Sequence, residues 1–204
     1  MAVSFDLFGT LVSAALPADP ATAVADELAA RNVEVPDDWG RAYAESYVDA
    51  PEGAAVPLPA HVARALASLG VDAPANAPRR AVVAAFDPAV ETHPGAVEAV
   101  RAASERGPVA LCSNCAVPEL VGRTLVRSGL SRDDFDVIVT SVACGWRKPH
   151  PQVFETTADR LGVAPDTLVH VGDDPETDGG VAAVGGEFVD VRETSLEAVA
   201  RRFE

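Results

Sequence analysis

Short apolar runs alternating with helix-spaced segments set the pattern of this chain. Ala2 to Leu7 is the first such run and predicts a buried strand, ended by the turn Phe8-Gly9-Thr10. From about Ser13 to Asp87 the pattern predicts helices broken by proline. Ala21 to Arg31 has helical spacing, with Asp19-Pro20 placed as cap and first turn. Asp37 to Val48 carries Trp39, Tyr43 and Tyr47 at spacings of four, one face of a helix. The Pro/Gly/Ala loop Pro51 to Pro59 leads to a third helix, Ala60 to Leu69, and Arg79 to Phe86 reads as a fourth.

After Thr92-His93-Pro94-Gly95 the pattern changes. Helix Ala96 to Arg106 precedes strand Pro108 to Cys112, and helix Pro118 to Ser128 precedes strand Asp136 to Thr140. Helix Gln152 to Leu161 precedes strand Thr167 to Val171, and helix Asp178 to Val184 precedes strand Glu187 to Val191. A helix from Leu196 to Phe203 follows. Strands alternating with helices imply an α/β fold, a Rossmann-like parallel sheet with helices on both faces. The expected organisation is a core of residues 1–12 and 88–204 and a small all-helical unit of residues 13–87. No internal repeat or low-complexity segment interrupts it.

In such a sheet, ligands bind outside the carboxyl ends of the strands. The polar residues expected there are Asp6 with Gly9-Thr10, Ser113-Asn114, Lys148 through its loop, and Gly172-Asp173-Asp174 with Asp178. The helical insert after the first strand is placed to lie over them as a lid.

Composition narrows the reading. A chain of 204 residues with 48% hydrophobic positions is globular, large enough for one good core or a core with a small accessory unit. Apolar runs such as Val109 to Leu111 are far too short to span a bilayer. The start, Met1-Ala2-Val3-Ser4-Phe5-Asp6, carries no signal-like stretch, so a soluble cytoplasmic protein is expected. The net charge of −15 repels nucleic acid and anionic membranes, so neither is an expected partner. High acidity with scarce lysine and abundant alanine, valine and arginine looks like adaptation to a high-salt cytoplasm. The three cysteines, Cys112, Cys115 and Cys144, are an odd count that argues against a disulfide framework. Cys112-Ser113-Asn114-Cys115 lacks a second pair to complete a zinc site, and all three are expected to be packing residues near the site.

Lys148 is the only lysine. A compact ammonium kept in a chain that otherwise uses arginine suggests a site needing a point charge beside a phosphate or carboxylate. Asp6 is either a capping acceptor or a nucleophile. Thr10 and Ser113 can donate to an anion. Asp173, Asp174 and Asp178 repel one another unless protonated or bridged by a cation, and all-oxygen ligands favour Mg²⁺. The competing reading makes Asp174 and Asp178 helix caps, which is expected in part for Asp174. Of the histidines, His93 is placed as a hinge, His170 as a packed strand residue and His61 on a helix surface. His150 is a loop residue or a proton donor.

Four segments, Asp6-Leu7-Phe8-Gly9-Thr10, Ser113-Asn114, Lys148-Pro149-His150-Pro151 and Gly172-Asp173 through Asp178, stand in an order that resembles the haloacid dehalogenase superfamily of aspartate-nucleophile hydrolases. The insert from Ser13 to about Asp87 resembles that family's helical cap. The resemblance implies Asp6 as nucleophile, with Ser113 and Lys148 binding the transferred group; Thr10, an anion donor by its own chemistry, completes the expected catalytic set. It implies Mg²⁺ held by Asp6, the Phe8 carbonyl and Asp173, and Asp178 holding Lys148 or the metal's water shell. Gly9 and Asn114 are the expected substrate contacts in the core. Trp39, Tyr43 and Tyr47 form the cap's packing face, from which Arg41 or Tyr43 is the candidate to select substrate.

One position departs from the family's phosphatases. They usually carry a second aspartate two residues after the nucleophile, and here that residue is Phe8. Proton transfer is worth roughly 10²–10⁴-fold in rate. The family's dehalogenases also have an aromatic residue there, but their fourth motif has a Ser/Asn pattern. An acidic cluster would repel a haloacid in a metal-free site. The leading expectation is therefore a Mg²⁺-dependent phosphatase of a small phosphorylated metabolite, acting through an aspartyl-phosphate at Asp6 as a monomer or homodimer. It would act on leaving groups that need little protonation or borrow an acid from the cap. The alternatives are a 2-haloacid dehalogenase and a catalytically weak relative that binds a ligand or partner.

Overall fold

The computed structural model describes residues 1–204. Five parallel strands form one sheet in the order β5-β4-β1-β6-β7. They are β1 (Ala2–Phe5), β4 (Val109–Ser113), β5 (Val137–Thr140), β6 (Leu168–Gly172) and β7 (Glu187–Asp190). Successive side chains of a strand face opposite sides. Val3 and Phe5 of β1, Val109 and Leu111 of β4, and Val169 and Val171 of β6 join one apolar cluster. Ala2, Cys112 and Leu168 join a second. Helices α5 (Ala96–Ser104) and α9 (Leu196–Phe203) cover the first face, packed on each other. Helix α8 (Pro151–Leu161) covers the second through Val153 and Phe154. Both faces are covered, so the strands read as continuous apolar runs.

Connections from β1 run first toward β4 and β5, then cross to β6 on its other side. Strand order therefore reverses at β1, the position where a crevice opens in such sheets. Helices α6 (Leu120–Arg127) and α7 (Ser141–Cys144) complete this part of the chain. The single turn α7 was not predicted. The predicted helix Asp178 to Val184 is a 3₁₀ helix instead. It contains Gly179-Gly180, which lowers α-helix propensity.

The insert leaves and returns through a two-stranded antiparallel ribbon, β2 (Val12–Ala14) paired with β3 (Val90–Thr92). Three-residue strands carry no usable period, so neither was predicted. Between them lie α1 (Pro20–Ala29), α2 (Trp39–Ala44), α3 (Leu58–Ser68) and α4 (Ala77–Ala85). The Asp19 side chain accepts from the Thr22 amide and caps α1. α1 packs on α4 and α2, and α3 packs on α2 and α4. Their buried residues, among them Val24, Leu28, Trp39, Leu66 and Val82, share one apolar cluster with Leu7 and Leu11. α2 is shorter than the predicted Asp37 to Val48 because the backbone turns extended at Glu45. Tyr47 thus lies beyond the helix, where its hydroxyl accepts from Ser68 Oγ at 2.9 Å.

The loop before α3 is stitched to the core. Ala55 donates to Gly145 O and Arg147 to Gly53 O, each at 2.9 Å, and Leu58 donates to Ala116 O at 2.9 Å. Trp146 stacks on His150 at 4.0 Å. No helix is long and apolar enough to cross a membrane.

Candidate active site

Loops at the carboxyl ends of β1, β4 and β6, with the loop between α7 and α8, meet around a cavity of about 280 Å³. Its lining comes from Asp6 and Phe8, from Ser113 and Asn114, from Lys148, and from Asp173, Asp174, Thr177 and Asp178. A larger recess of about 500 Å³ lies at the amino ends of β4 and β5, against Pro108 and Asp136. It holds none of this constellation.

Lys148 organises the site. Its ammonium, 2% exposed, donates to Asp6 Oδ1 at 2.7 Å, Cys112 O at 3.0 Å and Asp178 Oδ1 at 2.5 Å. Those bonds use all three of its protons. Burial disfavours the charged amine, but Asp6 and Asp178 outweigh it and hold Lys148 above its ordinary range. Burial pushes the Asp6 carboxyl up, opposed by the charge of Lys148. Burial also works against Asp178, yet the hydrogen bond from His170 and the charge of Lys148 hold it well below the usual carboxylate range. Asp6 Oδ2 carries no hydrogen bond and is left available.

Behind Asp178 lies a buried chain. His170 Nε2 lies 3.0 Å from Asp178 Oδ1, and His170 Nδ1 lies 2.8 Å from Ser4 Oγ. Burial keeps the imidazole below its ordinary pKa, so it is neutral. A neutral ring that donates from Nε2 to the carboxylate accepts the Ser4 hydroxyl at Nδ1. His170 was expected to be packed, and it is, edge-on to Phe154. Its place behind Asp178, and that of Ser4, were not foreseen. The available signal was the polar alternation: Ser4 and His170 interrupt otherwise apolar, fully buried strands and are register partners.

Two glycines make room for carboxylates. Gly9 sits at φ +89°, and a Cβ there would come within 2.5 Å of Asp173 Oδ2. A Cβ on Gly172 would come within 2.2 Å of Asp178 Oδ2. Thr10 is fully buried, and its hydroxyl donates to Asp173 Oδ1 at 2.9 Å.

Several expected roles change. Thr10 and Gly9 do not line the cavity; one orients Asp173 and the other admits it. Asn114 lines it, but its amide donates to Lys148 O at 2.9 Å and accepts from Lys148 N at 2.8 Å, so it clamps the loop that carries the lysine. Arg41 and Tyr43 lie outside it. Arg41 is exposed and paired with Asp38 at 2.8 Å, while the Tyr43 ring packs on Trp39 and His61. Asp174 is a local cap, accepting from Glu176 N and Thr177 Oγ1, each at 3.0 Å.

Ser113 lies among the cavity groups. It is 2% exposed, and its hydroxyl has no hydrogen-bond partner. Buried polar groups are normally satisfied, so this hydroxyl is a donor that finds no acceptor among the protein's own groups. His93 bridges the two insert connections, with Nδ1 2.8 Å from Thr10 O and Nε2 2.7 Å from Ser13 Oγ. His150 does not line the cavity; it stacks on Trp146 and accepts from Gln152 N. All three cysteines are free thiols, and burial pushes Cys112 up to about 11.

Asp6, Asp173 and Asp178 each offer a carboxylate oxygen, all within 4.8 Å of one another. Asp178 has both oxygens engaged, Oδ1 by Lys148 and His170 and Oδ2 by the Asp174 amide. Asp6 Oδ2 and Asp173 Oδ2 carry no hydrogen bond. Hard, negative and incompletely satisfied, that pair fits a divalent cation such as Mg²⁺.

A family model for haloacid dehalogenase-like hydrolases matches residues 1–186. Haloacid dehalogenase-like hydrolase domain-containing protein 3 is 40% identical in Bos taurus over 55 residues and 38% identical in Homo sapiens over 72 residues. Those matches cover 26% and 34% of this chain and span only 22% and 29% of the relatives. Among solved structures, 2-haloacid dehalogenase from Pseudomonas syringae pv. Tomato DC3000 aligns with a TM-score of 0.68 at 23% identity, covering 93% of this chain and 85% of that one. A HAD family enzyme from Bacteroides thetaiotaomicron, in complex with magnesium and inorganic phosphate, aligns with a TM-score of 0.62 at 13% identity, covering 93% and 92%. At such identities the likeness is one of fold.

Proposed function

We propose, on the premise that this chain belongs to the haloacid dehalogenase-like hydrolases, that it is a Mg²⁺-dependent phosphatase of small phosphorylated metabolites. The observation that carries this reading is the pairing of two partly free carboxylates, Asp6 and Asp173, with the unpartnered Ser113 hydroxyl in one cavity. Asp6 and Asp173 would hold the cation, with Asp178 fixing Lys148. When bound, Mg²⁺ neutralises charge on the phosphoryl group and lets an anion enter an acidic site.

The chain's own residues do the rest. Lys148 holds the Asp6 carboxylate in place through Oδ1, and that carboxylate attacks phosphorus. Ser113 donates to an oxygen of the transferred group. Thr10 orients Asp173, and His170 orients Asp178. The insert of residues 13–87 acts as the cap.

Phe8 favours a second reading, a 2-haloacid dehalogenase, because halide leaves without a proton. The acidic lining weighs against it, since Asp173, Asp174 and Asp178 would repel a haloacid. Phosphate and halide release, each measured with and without Mg²⁺, separate the two. Asp6→Asn tests what they share. The folded variant is expected to release neither product, and substantial residual hydrolysis would overturn the assignment of the nucleophile.

A further inference from the structure

We infer that this site takes phosphoryl compounds whose leaving group departs as a stable anion, acyl phosphates and phenolic esters above all, and that phosphorylated Asp6 outlives its own formation. This deepens the phosphatase reading and rests on it.

The inference comes from a census of protons around the cavity. An alkyl phosphate expels an alkoxide, which needs a proton as the P–O bond breaks. A positioned acid supplies roughly 10²–10⁴-fold in rate. No histidine, tyrosine, cysteine or glutamate lines this cavity, and Phe8 has no proton to give. Lys148 has committed its three protons to Asp6, Cys112 O and Asp178. The Asn114 amide is bound to the Lys148 backbone, and Thr177 donates to Asp174. Ser113 is an alcohol, suited to donating a hydrogen bond but far too weak an acid to give up its proton.

The insert does not fill the gap. None of its residues, 13–87, lines the cavity. Tyr43 and His61 pack on each other, and Tyr47 is held by Ser68. The nearby His150 is stacked on Trp146.

The chemistry then balances as two displacements. A carboxylate oxygen of Asp6 forms a bond to phosphorus, and the bond from phosphorus to the leaving oxygen breaks, its electron pair leaving with that oxygen as carboxylate or phenolate. Water next attacks phosphorus, the bond to Asp6 breaks, and inorganic phosphate and the Asp6 carboxylate are regenerated. The proton of that water passes to solvent. The second step lacks a spare carboxylate as base: Asp6 carries the phosphoryl group, Asp173 is the one that would hold the cation, and Asp178 and Asp174 have both oxygens engaged. Attack by water is therefore the slow step.

The test uses the full chain with Mg²⁺ in concentrated salt and compares acetyl phosphate, p-nitrophenyl phosphate, phenyl phosphate and glycerol phosphate. Without a proton donor, kcat/KM should be about 10²–10⁴-fold higher for p-nitrophenyl phosphate than for glycerol phosphate. Acetyl and p-nitrophenyl phosphate should share one kcat, because both pass through the same slow step. Nitrophenolate should appear in a burst approaching one equivalent per chain. Acid-quenched protein should retain radiolabelled phosphate in wild type and none in Asp6→Asn. Near-equal kcat/KM across the series, or nitrophenolate release without a burst, would overturn the inference while leaving the phosphatase reading intact. Absence of both phosphate release and label with every compound would overturn that reading, and the inference with it.

Discussion

Replacing Lys148 with methionine isolates the electrostatic centre of the site. Methionine keeps an unbranched apolar stem and fills space adaptably. What is lost is one ammonium and three hydrogen bonds, from a side chain only 2% exposed. What remains is the Asp6 and Asp178 carboxylates, 10% and 1% exposed, with no cation between them. Removing one partner of a buried ion pair costs about 3–5 kcal/mol. For a chain of this size each kcal/mol lowers Tm by about 2–4 °C, so a fall of roughly 6–20 °C is expected without Mg²⁺.

The sign of the pH dependence follows from the same contacts. In wild type, Asp178 is held below its ordinary value, so its contribution is present above the unfolded pKa of 3.8 and fades as pH falls through that range. In the variant, burial raises Asp6 with no lysine to oppose it, while Asp178 keeps only His170 and the Asp174 amide. The folded state then binds more protons than the unfolded chain, and the variant gains stability as pH falls toward about 4. The gap between the two proteins should be widest at neutral pH and narrow in mild acid. Thermal melts followed by circular dichroism in Mg²⁺-free, salt-rich buffer measure it. A loss of only a degree or two at neutral pH, or one that does not shrink on acidification, would refute this account of Lys148.

Three further outcomes are expected. Ser113→Ala should leave Tm unchanged or slightly raised, since an unsatisfied buried hydroxyl costs about 1–3 kcal/mol, while inhibition by inorganic phosphate weakens. A lower Tm with unaltered inhibition would make Ser113 a packing residue. Wild type should gain about 2.7 kcal/mol of stability at Mg²⁺ a hundredfold above Kd, and Asp173→Ala should lose that gain; an undiminished gain in the variant would remove Asp173 from the metal site. Phe8→Asp should raise kcat/KM on glycerol phosphate by up to roughly 10²–10⁴-fold and that on p-nitrophenyl phosphate much less. A folded variant with equal gains on both, or none, would show that position 8 is not where a proton is needed.

The core of the fold was legible because its strands are buried on both faces and stand out as apolar runs, as in Val109 to Leu111. Their carboxyl ends located Asp6, Ser113, Lys148 and Asp173 without any coordinates. What stayed hidden depended on partners distant in the chain. Nothing local distinguishes a Thr10 hydroxyl that meets a ligand from one that meets Asp173, which lies 163 positions away. Asn114 likewise reads as a ligand contact until Lys148 is seen to occupy both ends of its amide. Arg41 looked poised on a helix face, but its direction is set by Asp38 three residues earlier. The chain Ser4–His170–Asp178 needed the register between β1 and β6, which is a property of the folded sheet.

The central position of β1 bears on how the protein is made. Synthesis delivers this strand before the other four of its sheet, yet its neighbours are Val109–Leu111 and Leu168–Val171. More than half of the chain must leave the ribosome before one edge of β1 is paired, and most of the remainder before the other is. Until then a short apolar strand with open edges has to be kept from pairing with the wrong chain. The Ser4–His170 bond closes a loop of 166 positions, a separation typical of slow folding. Such an order leaves the cavity unformed until late, because Asp6 meets Lys148 and Asp178 only once β6 and the segment after it have been made.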